Sequence, residues 1–274
     1  MESLTQTALL DLCSNNMESG HLDGVSGTTL RGWWNIERER AHPFVETLMS
    51  RPPFGWTEAI LEHRAHRHPW YDALAAEVTL AEFAMFMLEN RRFPAFLPLA
   101  QRALKAQICD EGRAALQRNI DDEQVPVPHA ELMARLMGAL KTKAGEGLRL
   151  DVYRSLVDRT LVFYYGFYFD VWSLIGSLYV TEAVAFHRLQ HMNVGLQRLG
   201  LTAHELEFIS VHMTCDEDHA RDWSDGVVGP TLRLDPSVRR SIAEGIAVCL
   251  ETSARYLDRQ VQRLKEQRVT ACQL

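Results

Sequence analysis

The stretch Leu161 to Val180, LVFYYGFYFDVWSLIGSLYV, carries a single charge, Asp170. It is long enough to cross a bilayer, but a carboxylate at the middle of a lipid-exposed helix would be costly. A helix can also be apolar on every side because other helices surround it. That reading makes the chain an all-α bundle with this segment near its centre.

The flanking sequence agrees. Long runs rich in Ala, Leu, Glu, Arg and Met, broken by Pro or Gly, predict helices over 56–66, 80–90, 95–122, 129–141, 151–159, 168–199, 203–224 and 236–267. The stretch QVPVP, 124–128, must leave the helix because each proline pushes its predecessor toward an extended conformation. Gly200 suits a helix C-cap with Thr202 as the next N-cap, and 144–147 and 226–230 read as surface turns. Residues 1–55, including the aperiodic SGTTLRGWW, are expected to form a partly helical extension packed on a core domain of residues 56–274.

Of the 274 residues, 46% are hydrophobic, enough for a sizeable core. The formal charge of −7 gives no general attraction for nucleic acid or anionic lipid. The five cysteines show no metal-ligand spacing, and their odd number argues against a disulfide framework. With no secretory pattern in MESLTQTALLDLCSNN, a cytoplasmic location is expected.

The sharpest chemical signal is FISVHMTCDEDHARDW, 208–223. His212, Asp216 and His219 stand at i, i+4 and i+7, within about 60° on one helix face, where they interrupt an otherwise apolar stripe. Alone, such a trio reads more readily as a satisfied hydrogen-bond network than as a metal site. Further acids and a histidine add to it. Glu89 follows Met85 and Phe86 at i−4 and i−3, so it lies on an apolar face. Glu123 ends a helix on its apolar side, His129 opens the next, and the two can face one cavity across the turn. Glu182 continues the face of Leu178, Ala185, Phe186 and Leu189. Four carboxylates and three neutral imidazoles carry about four negative charges, which two Fe(II) ions would balance. Mixed imidazole and carboxylate ligation suits iron, or manganese, rather than thiolate-selected zinc.

In their order these residues resemble the haem-oxygenase-like dimetal oxidases, over about Leu80 to Trp223. The resemblance rests on Glu89 before Phe93-Pro94, on Asn119-Ile-Asp-Asp-Glu123 followed by His129, on Leu178-Tyr-Val-Thr-Glu182, and on His212, Asp216 and His219. The turn from Glu123 to His129 departs from the family pattern, being one residue short with two prolines. The resemblance implies a haem-oxygenase-like bundle of about seven core helices, without haem, holding two irons and using O2 as co-substrate. It assigns His129, Glu182 and His219 to one iron and Glu89, His212 and Asp216 to the other, with Glu123 shared. The implied activity passes through a bridged peroxide and oxidises a small amino-acid-derived or amine-bearing metabolite, in natural-product biosynthesis. N-oxygenation is preferred to carbon–carbon cleavage or desaturation. The expected partners are this small molecule and O2, with no nucleic acid and no membrane; a homodimer is left open. Fatty-acid oxidative decarboxylation, a metal-free enzyme of the same fold and a non-catalytic interaction protein stand as alternatives.

Other histidines and acids read as structural. Glu18 with His21 and Glu39 with His42 have Glu-x-x-His spacing but lie in the aperiodic N-terminal region, and Pro43 follows the second. His187 and His191, about 140° and 180° from Glu182 on a continuous helix, are expected on the outer face. His63, His66 and His68 read as solvated helix-end residues. Glu82, seven residues before Glu89, is the reserve ligand. The aromatic run 163–169 reads as core more readily than as a substrate tunnel.

Overall fold

The computed structural model describes residues 5–145, 148 and 152–271, apart from the side chains of residues 6, 215–218, 270 and 271. Among the described residues it is helical throughout, with no strand. Helix α1, Gln6–Asn15, is capped by Thr5, and α2, Gly24–Ser50, by Asp23, whose carboxylate accepts from the amides of Val25 and Ser26. Pro43 lies inside α2 without ending it, so the N-terminal region holds a 27-residue helix where the sequence reads as only partly periodic. Its Leu30, Trp34, Val45 and Leu48 belong to the main core cluster.

Short helices α3, Trp56–Glu62, and α4, Pro69–Ala76, follow, then α5, Leu80–Asn90, which starts with a capping box between Thr79 and Glu82. The span expected as one helix over 95–122 is two, α6, Phe96–Ala103, and α7, Asp110–Asp122. The interruption is satisfied locally: Arg113 donates to the Leu104 carbonyl at 2.8 Å, and the Cys109 sulfur accepts from the Gly112 amide. Helix α8, His129–Ala144, ends at Gly145, whose φ of 81° suits the residue after a helix.

The apolar stretch that decided the fold class is also two helices. Helix α9, Arg154–Tyr168, runs nine residues beyond its expected end at 159, and α10, Val171–Ala183, begins at Asp170. Asp170 is the N-cap of α10, accepting from the Trp172 amide at 3.1 Å and the Ser173 hydroxyl at 2.5 Å. No helix among the described residues is long and apolar enough to cross a membrane. The remaining helices are α11, Ala185–Arg198, α12, Glu207–Arg221, α13, Gly229–Leu234, and α14, Arg239–Ala271.

Helix α10 lies against both α9 and α14, while α2 runs along α14. The α10–α14 crossing is close because both helices present glycine. A Cβ on Gly176 would come within 2.2 Å of the Ile242 carbonyl oxygen, and one on Gly245 within 2.1 Å of that of Ser173. Beyond Arg221 the chain forms a π-helical segment, Asp222–Val228, leading into α13, so residues 226–230 are helical and not a surface turn. This segment seats α7: a Cβ on Gly226 would lie 2.6 Å from that of Ala115. The buried Trp223 indole donates to Asn119 Oδ1 at 3.2 Å, and Arg118 grips Asp222 with two nitrogens. These contacts hold the C-terminal end of α7 beside α12.

Candidate metal centre

Asp122 closes α7 and Glu123 is its C-cap, so the two carboxylates leave the helix about 100° apart. They reach different histidines. Glu123 Oε2 lies 3.3 Å from His129 Nδ1 and its Oε1 lies 3.8 Å from His212 Nε2. One ligand atom from each of Glu123, His129 and His212 falls within 4.8 Å of the others. The two imidazole centroids are 4.3 Å apart.

The protonation pattern in this group is informative. His212 Nδ1 is 2.8 Å from the Phe208 carbonyl, which can only accept, so Nδ1 carries the proton and Nε2 presents its lone pair toward Glu123. A backbone carbonyl behind a ligating imidazole is the usual means of fixing its tautomer. Burial, opposed by Glu123, pushes the His212 pKa down to about 4, leaving the ring neutral near pH 7. His129 is 2% exposed, and neither of its ring nitrogens makes a hydrogen bond despite the nearby carboxylate. A buried imidazole left in that condition costs free energy, and with no proton donor at its lone pair a metal ion is a partner that would relieve it.

A second group lies two turns further along α12. His219 Nδ1 is 3.5 Å from Glu182 Oε2, and His219 Nε2 is 3.2 Å from Asp122 Oδ2. Glu182 and His219 are both buried. Asp216 stands between the two groups on α12, but its side chain lies outside the described residues. Six of the seven expected ligands therefore sit on α12 or on the neighbouring α10, α8 and end of α7, and five of them are seen to pair. Sequence reasoning passed over Asp122; its signal was the second acid in Asp121-Asp122-Glu123.

Glu89 is engaged elsewhere. Fully buried, its Oε2 accepts from Tyr153 at 2.8 Å, Tyr256 at 2.9 Å and Gln260 at 2.7 Å, and its Oε1 accepts from Arg263 at 2.5 Å. The chain's own donors thus meet its charge. The reserve residue Glu82 is used in the capping box, accepting from the Thr79 amide at 2.7 Å.

The three histidines expected as solvated helix ends, His63, His66 and His68, are packed against other helices. His63 and His68 are buried: their Nε2 atoms lie 3.2 Å from Glu251 and 3.1 Å from Asp258 of α14, and their Nδ1 atoms accept from the Ala65 and Trp70 amides. The His66 ring lies 4.6 Å from that of His187, tilted by 48°, and His187 lies 4.4 Å from His191. His187 and His191 are half-buried against Tyr71 rather than outward-facing. The helix breaks at Val184, so an angle counted from Glu182 does not carry into α11. In the aromatic run, Phe163 and Tyr164 are core, and Tyr165 stacks on Trp34 at 4.0 Å.

Compared with known protein families, residues 80–254 match the iron-containing redox enzymes. The chain belongs to that family. The matched region runs from α5 into α14 and includes both histidine groups, while α1 to α4 precede it. As an iron-containing redox enzyme the protein is an oxidoreductase, and its architecture is the all-α haem-oxygenase-like bundle. The imidazole and carboxylate donors of the Glu123 group fit iron, and the unbonded nitrogens of His129 fit a ligand role. No curated protein matches this chain.

Proposed function

We propose that this iron-containing redox enzyme is a non-haem di-iron oxygenase that uses O2 to oxidise a small amine-bearing metabolite, with oxygen transfer to nitrogen as the favoured outcome. The observation that carries the reading is the Glu123, His129 and His212 group, in which a buried imidazole has two nitrogens without hydrogen bonds beside a carboxylate and a neutral imidazole. Glu123, His129 and His212 would hold one iron. Glu182 and His219 would hold the second, with Asp216 between the groups and Asp122 as a further acid. Bound iron supplies the electrons and the Lewis acidity that O2 reduction needs.

The chain supplies position and dryness. The Phe208 carbonyl fixes the His212 tautomer, and the Phe208 ring packs 4.2 Å from the imidazole. Glu89 would have to exchange Arg263 for a metal to join the set, so it belongs to the scaffold in this reading.

Anaerobic titration of metal-free protein with Fe(II), followed by O2 uptake with and without candidate amino acids, tests the proposal. The expected result is two Fe(II) per chain and substrate-accelerated O2 consumption, with oxygen recovered on nitrogen. Full activity in strong chelator, or no Fe(II) binding, would overturn it.

A further inference from the structure

Three half-buried guanidinium groups, those of Arg159, Arg188 and Arg263, belong to the bundle, and one of them has its counter-ion. Arg263 is paired with Glu89. Arg159, on α9, lies over two aromatic rings, its guanidinium carbon 4.4 Å from the Phe93 centroid and 4.7 Å from that of Tyr256. Its Nη1 is sealed from solvent and makes no hydrogen bond, and no carboxylate among the described residues lies within ion-pair distance of it. Arg188, on α11, is half-buried and adds a second positive charge: burial first, and then the repulsion of Arg188, hold the Arg159 pKa below its ordinary range.

A half-buried guanidinium with one donor sealed and unused and a like charge nearby is an unfavourable arrangement for a chain to keep on stability grounds alone. Its planar fork matches a carboxylate, and the two rings it lies over restrict its movement. Glu89 cannot serve, since Arg263, Gln260 and two tyrosines already occupy it. We propose that Arg159, supported by Arg188, is an anchor for the carboxylate of a small organic acid. The anchor itself does not depend on iron; its purpose, presenting a substrate for oxidation, rests on the function proposed above. Walls of Phe93 and Tyr256 favour a monoanion with an apolar or amine-bearing body over a phosphate, whose second charge would go unmet.

The test uses the full chain freed of metal, so that a carboxylate cannot bind through iron. Acetate and straight-chain acids of four to ten carbons, 4-aminobutanoate, the matching carboxamides and inorganic phosphate are titrated calorimetrically into wild type, Arg159→Gln and Arg188→Gln. At least one acid is expected to bind wild type about tenfold or more tighter than its amide, as a charge-assisted pair requires. That preference should vanish in Arg159→Gln and weaken in Arg188→Gln. No acid favoured over its amide in wild type, phosphate bound more tightly than every acid, or an undiminished preference in Arg159→Gln would each overturn the anchor. Wild-type discrimination stands even if Arg159→Gln does not fold. A parallel Fe(II) titration separates the two claims: acid preference without Fe(II) uptake removes the proposed oxygenase and leaves the anchor, and Fe(II) uptake without acid preference does the reverse.

Discussion

Glu89 and Glu123 look alike in sequence and are opposites in the fold. Each stands at the C-terminal end of a helix with apolar residues three or more positions before it. In the structure Glu89 receives four donors, one of them the Arg263 guanidinium, whereas Glu123 faces two imidazoles, one neutral and one without any hydrogen bond. A carboxylate on an apolar face shows only that its charge must be met. Whether a fixed cation or an exchangeable ion meets it depends on residues from other helices.

The largest expected effect breaks the Glu123 side of this comparison. Glu123→Ala or His129→Ala should weaken Fe(II) binding by at least about 100-fold, since losing even a residue behind the ligands can cost that much. Anaerobic titration measures it, and unaltered uptake in either variant would remove the metal reading. For Glu89→Gln the expectation reverses. Arg263 would be left buried without its partner, at a cost of about 3–5 kcal/mol in unfolding free energy, while Fe(II) affinity stays near wild type. Lost iron with intact stability in Glu89→Gln would instead place Glu89 among the ligands.

The same contrast shows what was legible in the sequence. Helix α5 begins and ends where the sequence places it, because its capping box and the Phe93-Pro94 pair that follows are local signals. The His212 to His219 face was readable for the same reason: one helix carries it. Other features depend on distant partners. The donors to Glu89 lie 64 to 174 positions away, and His63 and His68 meet acids on α14 188 and 190 positions away, so nothing near them marks them as buried. The π-helical segment was hidden because Gly226 and Pro230 signal a turn unless α7 is known to press against them.

An intermediate effect sharpens the comparison by adding imidazoles with no buried carboxylate among them. Burial first, then the nearby His187, Arg67 and His191, push the His66 pKa down to about 4 from the ordinary 6.5. Between those values the unfolded chain holds a proton that the folded chain does not, so stability rises with pH there. This contribution is complete above about pH 6.5 and lost as pH falls toward 4. The slope from one such group is at most about 1.4 kcal/mol per pH unit, and partial exposure reduces it. Chemical unfolding of metal-free protein from pH 4 to 7 should give a shallower pH dependence for His66→Gln than for wild type. Equal slopes would show that this cluster does not titrate as a buried group.

The smallest effect concerns Glu82, which shares a helix face with Glu89 but has neither role. Its carboxylate accepts from the Thr79 amide and hydroxyl, while the Thr79 hydroxyl accepts from the Glu82 amide, so its charge is satisfied within the first turn of α5. Thr79→Ala removes both hydroxyl contacts and should cost about 0.5–2 kcal/mol, the usual range for a lost N-cap. Glu82→Gln keeps hydrogen-bonding capacity and gives up only the charge near the helix N-terminus, so about 0.3–1 kcal/mol is expected. Neither change should alter Fe(II) stoichiometry. A Glu82→Gln variant that bound less iron would mean that the carboxylate leaves its cap in the metal-loaded protein, and the division between scaffold and ligand acids on α5 would then have to be redrawn.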